Sequence, residues 1–314
     1  MPDAKISWII GNNEYELVKD IGNINWVVID KSRLFAEWLR LKKIFKNTNT
    51  DILLHMQASL RASILSTAIK AKKVIGFDKE RSKDYQHLFC NEKILRRKDA
   101  HVLETFLDFV RTLELDTSKI EWNLPLANMQ NEAESILNNL PDRFALISPC
   151  SSKKIRNWTL EGYAKIADYI YEKYKLPTVL TGGPSEFEKE FAGLIVNKSK
   201  HKPINLTGQT SIRQMLAVLE RAEFIIAPDS GPGHLGSAVK TPVIGLFANT
   251  NPKRARSYQY PEYVVDKYPA AVKKYLGKDV AELKFGTRVR DPKVMHIIKL
   301  ADVRPIVDKL IKHG

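Results

Sequence analysis

The sequence predicts an α/β protein of two domains, each built on a parallel β-sheet. Short apolar runs of strand length alternate with helical patterns along the chain, and this alternation is typical of parallel sheets. The 314 residues, 44% of them hydrophobic, suffice for about two domains with cores of their own. A polar stretch over 121–132 predicts the linker. The predicted domains therefore cover 1–125 and 126–298, followed by a closing helix over 299–314.

In the first domain, four apolar runs alternate with helical stretches. The predicted strands are Ile6–Ile10, Trp26–Ile29, Ile52–Leu54 and Val74–Ile75, and the predicted helices are 33–46, 58–71 and 100–113. The first helix has a basic side and an apolar stripe formed by Leu34, Trp38, Leu41 and Phe45. Such a helix can pack its stripe on a sheet or lie on an anionic membrane surface, and both hold if only the lysines touch lipid headgroups.

In the second domain, the predicted strands are 144–148, 178–181, 224–227 and 243–247. After the first strand, Thr159 is typical of a helix N-cap, and apolar residues from Leu160 to Tyr174 follow at helical spacing. The strand–helix alternation predicts a parallel sheet. We expect the closing helix to return to the first domain.

Two turns of the second domain carry residue types that bind phosphate. Ser148–Trp158 and Ala227–His234 each follow an apolar strand and place hydroxyls, glycines and a positive side chain where a helix begins. Backbone N–H groups and the helix dipole can hold a diphosphate there. Either turn alone also has a structural interpretation, since strand-to-helix turns are commonly rich in Ser, Gly and Asp. The pair in this order predicts a nucleotide-sugar site.

The positive charge of the chain lies mostly in its first half. The net charge is +14, and between Lys31 and Lys98 there are 17 Lys or Arg against 6 Asp or Glu. Such a half attracts an acidic partner. A nucleic acid would be one, but no recognised nucleic-acid-binding motif accompanies the charge. Salt-dependent retention on DNA without nucleotide binding would favour that alternative.

The cysteines and apolar runs exclude several classes. Cys90 and Cys150 are the only cysteines, so neither a disulfide framework nor a zinc site is predicted. Cys150 has no identifiable partner to activate it as a nucleophile, and we expect a buried thiol. No signal peptide is recognised at Met1, and no apolar run approaches the roughly 20 residues of a membrane span. A cytoplasmic protein is expected.

Three motifs follow one another in the second domain: Thr181–Glu186 (TGGPSE), Asn205–Gly208 (NLTG) and Asp229–His234 (DSGPGH). In this order, residues 141–252 resemble the C-terminal half of the ADP-heptose:lipopolysaccharide heptosyltransferases, glycosyltransferase family 9. The first half is similar to the family through Asp51–Gln57 with Arg61, Ile75–Asp78, His87–Asn91 and His101. The resemblance implies the GT-B fold, in which two Rossmann-like domains with parallel sheets face a central cleft.

The resemblance also implies roles for individual residues. Ser151 and Ser152 match hydroxyl residues that face the donor phosphates. Arg156 stands where the family usually has a Lys that neutralises the leaving diphosphate; Arg keeps the charge and binds phosphate bidentately. Glu186 matches a carboxylate that bonds the donor ribose, and Asp229 matches an acidic residue close to the donor sugar. The turn that wraps the diphosphate is matched by Ser230, Gly231, Gly233 and His234.

Some of these residues have structural alternatives. Glu186 can be an exposed carboxylate favoured by the helix dipole, and His234 can be a helix-start residue with a structural hydrogen bond. On the acceptor side, Arg61, Arg81 and His101 are candidates for meeting a carboxylate or phosphate, with solvated side chains as the alternative.

The expected catalytic base has no match. In the family it is an Asp in the turn after the first strand, whereas Met1–Ile10 resembles the second strand. Because the first strand is normally central in a doubly wound sheet, its loss would leave two strand edges unpaired. We interpret this as a start site placed too late or a truncated chain, with a genuinely shortened protein as the alternative.

The resemblance implies an inverting, metal-independent transfer of L-glycero-D-manno-heptose from ADP-heptose to the Kdo/inner-core region of lipopolysaccharide, without a cofactor. The form of Ser148–Trp158 is similar to that of the heptosyltransferase I branch. A monomer at the inner face of the cytoplasmic membrane is expected. The alternatives are an inactive remnant that binds ADP without transfer, or a related glycosyltransferase with another donor sugar.

Overall fold

The computed structural model describes residues 3–313, which divide into two compact units. Unit 1 ends at Glu121 and unit 2 begins at Trp122. The strands are β1 (Ile6–Gly11), β2 (Ile24–Ile29), β3 (Thr50–Leu54), β4 (Ala71–Gly76), β5 (Glu92–Lys93), β6 (Ala145–Ile147), β7 (Thr178–Leu180), β8 (Ile204–Asn205), β9 (Phe224–Pro228), β10 (Val243–Phe247) and β11 (Val264–Asp266). Each predicted strand overlaps one of these, and the short β5, β8 and β11 have no predicted counterpart.

Helices connect the strands throughout both units. They are α1 (Asn12–Val18), α2 (Leu34–Ile44), α3 (Leu60–Ser66), α4 (Val102–Arg111), α5 (Leu126–Glu132), α6 (Glu134–Leu137), α7 (Leu160–Tyr174), α8 (Glu186–Lys198), α9 (Ile212–Arg221), α10 (Gly231–Ala238), α11 (Pro252–Ala255), α12 (Tyr268–Leu276) and α13 (Leu300–His313). In the part of the chain that the structure describes, none of them is long and apolar enough to cross a membrane.

Unit 2 is built on a six-stranded parallel sheet in the order β11-β10-β9-β6-β7-β8. Strands β6, β7, β9 and β10 are buried along their whole length, as in parallel sheets covered on both faces. The chain runs outward from β6 to β8 and then crosses to β9 on the other side of β6. The strand order therefore reverses between β6 and β9, where doubly wound sheets bind their ligands.

The side chain of Trp158 lies in the core of unit 2 and anchors the loop that follows β6. Its indole is 2% exposed, and Nε1 donates a hydrogen bond of 3.0 Å to the carbonyl of Ile298. The ring occupies the space above Gly162, where an added Cβ would lie 2.4 Å from a ring carbon. Any side chain at position 162 would therefore displace the ring and the loop it holds.

Helix α13 packs in unit 2, against α7 and β11. Val303 and Val307 are fully buried, and Asp308 accepts hydrogen bonds of 2.7 and 2.6 Å from the hydroxyls of Tyr169 and Tyr174. The buried valines complete the core of unit 2, and the expected return of the helix to the first domain stays a prediction.

The stretch expected to be a linker over 121–132 contains helix α5, which packs on α9 in unit 2. Met129 is fully buried, and the Gln130 side-chain amide donates a hydrogen bond of 3.1 Å to Glu220. The polar sequence misled the prediction because only one face of this short helix is buried.

Unit 1 contains two parallel sheets, β1-β2 and β3-β4-β5. Residues of both pack with α2 and α3 in one apolar cluster that includes Ile9, Val27 and Leu53. Among the described residues, β1 pairs only with β2 and β3 only with β4, so each has one unpaired edge.

Helix α2 packs its predicted apolar stripe on the core of unit 1. Leu41 and Phe45 are buried, and Trp38 packs against them. This confirms the packing of the stripe on the sheet. Three further apolar side chains of the helix are exposed to solvent: Phe35 is 73%, Leu39 48% and Ile44 43% exposed.

Asp108 fastens the loop over 78–98 to helix α4. Its carboxylate is buried and forms ion pairs with Arg111 at 2.9 Å and with Arg81 and Arg97 at 3.2 Å each. Burial alone would raise the pKa of Asp108, but the hydrogen bonds from Arg111, Arg97 and Arg81 outweigh it and hold the pKa below its usual value.

His55, which follows β3, is a buried neutral group. Its side chain is 4% exposed, Nε2 lies 3.0 Å from the hydroxyl of Ser63, and burial lowers its pKa to about 4. The unfolded chain therefore binds one more proton than the folded chain between pH 6.5 and 4. Folding stability falls as the pH falls through this window.

We expect His55 to cost up to about 3 kcal/mol of folding stability between pH 7 and pH 4. In His55→Gln the pH dependence of the urea midpoint over this range should shrink, because the titrating group is gone. The exposed His87→Gln is the matched control and should keep the wild-type dependence. An equal pH dependence in His55→Gln and wild type would contradict the assignment.

Candidate functional site

The candidate site lies at the carboxyl edge of the unit 2 sheet, around the reversal between β6 and β9. Because the strands are parallel, the loops after β6, β7, β9 and β10 emerge at the same edge. All nine residues predicted for the second domain lie in these loops or in the first turns of the helices α8 and α10 that follow them. The central feature is Asp229, which directly follows β9 and is 8% exposed.

Asp229 joins the loops of three strands. Its main-chain carbonyl accepts hydrogen bonds of 3.1 Å from the Ser151 hydroxyl and from Nη1 of Arg156. The same nitrogen lies 3.3 Å from the Asp229 carboxylate, which also accepts a 2.9 Å hydrogen bond from Thr250. The structure thus brings together Ser151, Arg156 and Asp229. Thr250 is a partner that the sequence analysis missed.

Arg156 is held in this position by its loop. It belongs to a short 3-10 turn, Lys154–Arg156, and the side chain of Asn157 accepts a 2.8 Å hydrogen bond from the N–H of Ser151. The Arg156 side chain keeps 15% of its surface exposed. Ser152, next to Ser151, is exposed. The loop therefore holds the Arg156 guanidinium in place and leaves the hydroxyl of Ser152 exposed to solvent.

Helix α10 begins beside Asp229 with Ser230 as its N-cap. The Ser230 hydroxyl is buried and has no hydrogen-bond partner among the described residues. An added Cβ on Gly231 would meet nothing within 4 Å, and one on Gly233 would meet only ordinary contacts. The backbone at Gly231 therefore borders open space at the start of the helix, where an anion can approach it.

His234, in the first turn of α10, faces Asp229. Its Nε2 lies 3.9 Å from a carboxylate oxygen of Asp229. Desolvation lowers the pKa of His234; Asp229 opposes this shift, while Arg156 and Arg254 add to it. The imidazole is therefore neutral at pH 7 and able to donate one hydrogen bond and accept another.

After β7, the turn Gly182–Gly183 is organised by Glu188, which the sequence analysis missed. Its carboxylate accepts hydrogen bonds from the N–H of Gly183 at 2.6 Å and from the Ser185 hydroxyl at 3.2 Å. A Cβ at Gly182 would stand 3.0 Å from the same carboxylate, so glycine allows the close approach. Glu186 points to solvent, 91% exposed, and pairs with Lys189 at 3.0 Å.

The three residues predicted for the acceptor lie in unit 1. Arg61 is exposed in the first turn of α3. Arg81 is engaged by Asp78 and Asp108. His101 caps helix α4, where Nδ1 accepts a 3.2 Å hydrogen bond from the N–H of Leu103. Of the three, Arg61 has the guanidinium that is open to a ligand.

Cys150 is buried beside the site, and burial raises its pKa to about 12, with Glu188 adding to the shift. The thiol is therefore protonated and a poor nucleophile, as expected from the sequence. Within residues 3–313, no group of three or more His, Cys, Asp or Glu side chains is placed to hold a metal ion.

Known proteins resemble the chain in sequence and in fold. A family model described as Glycosyltransferase family 9 (heptosyltransferase) matches residues 38–280. The lipopolysaccharide core heptosyltransferase OpsX of Haemophilus influenzae is 34% identical over 313 residues, covering 100% of this chain and 89% of the relative.

Two solved structures show the same fold. The glycosyl transferase family 9 protein from Veillonella parvula has a TM-score of 0.77 at 21% identity, covering 100% of this chain and 90% of that one. The E. coli heptosyltransferase WaaC with ADP has a TM-score of 0.70 at 16% identity, covering 99% and 91% of the two chains.

Proposed function

Because the chain belongs to glycosyltransferase family 9, the heptosyltransferases, we propose that it transfers L-glycero-D-manno-heptose from ADP-heptose to the Kdo region of the lipopolysaccharide inner core. The observation that carries the proposal is the 34% identity, along the whole chain, to a lipopolysaccharide core heptosyltransferase. The grouping of Arg156, Asp229 and Ser230 at the strand-order reversal supports it, since a diphosphate needs a cation, hydroxyls and free N–H groups.

In this reaction an acceptor hydroxyl oxygen bonds to the anomeric carbon of the heptose while the bond from that carbon to the β-phosphate oxygen breaks. Attack from the opposite face inverts the anomeric configuration. The electron pair of the broken bond leaves with ADP, and the hydroxyl proton passes to a base. Negative charge therefore grows on the diphosphate in the transition state, where a fixed cation is most effective.

Arg156 supplies that cation in our proposal. It already lies 3.3 Å from the Asp229 carboxylate, so its position does not have to be created when the donor binds. Ser151, Ser152, Ser230 and the first turn of α10 hold the phosphate oxygens, with Gly233 and His234 completing the turn around them. Glu186 bonds the ribose, and Asp229 lies close to the sugar. Neither a metal nor another cofactor is assigned a role.

The acceptor is an acidic glycolipid, and we propose that the chain acts as a monomer on the cytoplasmic face of the inner membrane. Helix α2 supports this placement. Phe35 and Leu39 are exposed on it, and Lys42 and Lys43 lie in its last turn. Apolar side chains flanked by lysines are typical of surfaces that bind anionic lipid. In unit 1, Arg61 is proposed to contact the acceptor, with Arg81 and His101 shaping the loop and helix nearby.

The proposed activity is tested by incubating the purified chain with ADP-heptose and Kdo-lipid A. We expect a product heavier than the acceptor by one heptose unit, together with one ADP for each product, both measured by mass spectrometry. Binding of ADP without any product would instead support the inactive remnant. Transfer from another ADP-sugar at a higher kcat/KM would indicate a different donor.

Removal of the Arg156 charge should mainly slow transfer, whereas removal of Glu186 should mainly weaken donor binding. We expect Arg156→Ala to lower kcat about 10²- to 10³-fold with a much smaller change in donor Kd, because the charge matters most as the diphosphate leaves. Glu186→Ala should raise donor Kd about tenfold through one lost charged hydrogen bond.

The matched controls for these two variants are Lys153→Ala and Glu190→Ala, which remove the same charges from exposed neighbouring positions. Both should behave as wild type in steady-state kinetics and in calorimetric ADP-heptose titrations. Equal losses of kcat and donor affinity in Arg156→Ala would count against its proposed role. An unchanged donor Kd in Glu186→Ala would identify Glu186 as a surface carboxylate.

Membrane contact through α2 is tested with Phe35→Ser/Leu39→Ser. We expect this variant to lose most of its co-sedimentation with vesicles of equal parts phosphatidylglycerol and phosphatidylcholine, because its exposed apolar area is removed. Leu194→Ser, which changes a leucine 46% exposed in unit 2, should bind as wild type. Undiminished binding by the α2 variant would exclude this surface.

A further inference from the structure

A small pocket at the carboxyl end of β10 is lined by two arginines, and neither of them is paired with a carboxylate of the described residues. Thr250, Asn251, Arg254 and Arg288 are among its lining residues. Arg254 lies on α11, half-buried, and Arg288 lies on the exposed loop that returns to β10. Neither guanidinium forms an ion pair or hydrogen bond within residues 3–313. This pair was not singled out by the sequence analysis.

Hydrogen bonds fix the backbone that carries Arg288. The carbonyl of Asn249 accepts a 2.9 Å hydrogen bond from the N–H of Val289, and the side-chain amide of Asn249 donates a hydrogen bond to the carbonyl of Val289. The Tyr268 hydroxyl donates a 2.8 Å hydrogen bond to the carbonyl of Thr287. The loop on each side of Arg288 is therefore held to unit 2, so the backbone that carries this arginine is fixed before a ligand binds.

The charges around the pocket leave an excess of positive charge. Desolvation and Arg288 lower the pKa of Arg254; Asp229 opposes this shift, and Arg156 adds to it. The Asp229 carboxylate is already engaged by Arg156 and Thr250. A partly buried cation without a partner is unfavourable, and a bound oxyanion would relieve it.

The order of the strands places this pocket relative to the donor. Along the carboxyl edge, Glu186 follows β7, Arg156 follows β6, Asp229 follows β9, and Arg254 follows β10. Neighbouring strands are about 4.8 Å apart. A donor with its ribose near Glu186 and its diphosphate between β6 and β9 directs its sugar toward β10. The two arginines then lie beyond the sugar, where the acceptor must approach.

We propose that Arg254 and Arg288 bind an acidic group of the acceptor, a sugar carboxylate close to the attacking hydroxyl. The proposal rests on the proposed function, which makes the acceptor an acidic sugar. Guanidinium groups bind carboxylates through paired, charge-assisted hydrogen bonds. Such a contact orients the hydroxyl toward the anomeric carbon, so the pair contributes to acceptor choice as well as affinity.

The test compares Arg254→Ala, Arg288→Ala and the double variant with wild type on two acceptors, Kdo-lipid A and its carboxyl-reduced analogue. On the acidic acceptor we expect acceptor KM to rise about 10- to 100-fold in the double variant. The calorimetric Kd for ADP should stay within about twofold of wild type. On the reduced acceptor, wild type and variants should have the same KM, because the interacting group is gone from the substrate.

Lys253→Ala and Arg290→Ala are the matched controls, since they remove exposed positive charges beside the pocket, and both should keep the wild-type KM. Loss of ADP affinity parallel to the loss of transfer would assign the pair to the donor diphosphate and overturn the proposal. An unchanged acceptor KM would overturn it as well. Failure of the proposed function is distinguishable, because wild type itself would then transfer no heptose.

Discussion

The site of unit 2 depends on one residue, Asp229, whose backbone and side chain are both used as acceptors. Its carbonyl accepts hydrogen bonds from the Ser151 hydroxyl and the Arg156 guanidinium, and its carboxylate accepts one from the Thr250 hydroxyl. Three loops that are far apart in sequence are thereby fixed against each other before any ligand arrives. A cation placed in advance loses little free energy to reorganisation when charge develops beside it.

The strands of the two units differ in how far they are buried. In unit 2, the four central strands are wholly buried, and the residues with proposed roles in chemistry lie in the loops and helix starts that follow them. In unit 1, Ile6 and Trp8 of β1 are 54% and 45% exposed, and charged networks such as that of Asp108 carry part of the organisation. A buried parallel sheet is a rigid support, so precise placement of reacting groups belongs on unit 2.

Much of the fold was predictable because hydrophobic periodicity reports burial directly. The strands of unit 2 are near-continuous apolar runs, and α7 shows both its Thr159 cap and its apolar face. Prediction from the sequence pattern failed where the contact partner of a residue lies far away along the chain. Helix α5 looks like a linker until α9 covers Met129. The partners Thr250 and Glu188 were missed for the same reason, since their hydrogen bonds depend on loop geometry rather than on local pattern.

The contact between Trp158 and Ile298 relates the site to the order in which the chain is made. The indole that anchors the Arg156 loop bonds to a carbonyl 140 residues later in the sequence. During vectorial synthesis the loop leaves the ribosome long before its partner does. A nascent chain thus has the residues that we propose to face the phosphates without the contact that holds their loop, and we expect nucleotide binding only when nearly all of unit 2 has emerged. If nucleotide binding is measured on ribosome-bound chains of increasing length, it should rise abruptly near the end of unit 2 and not gradually.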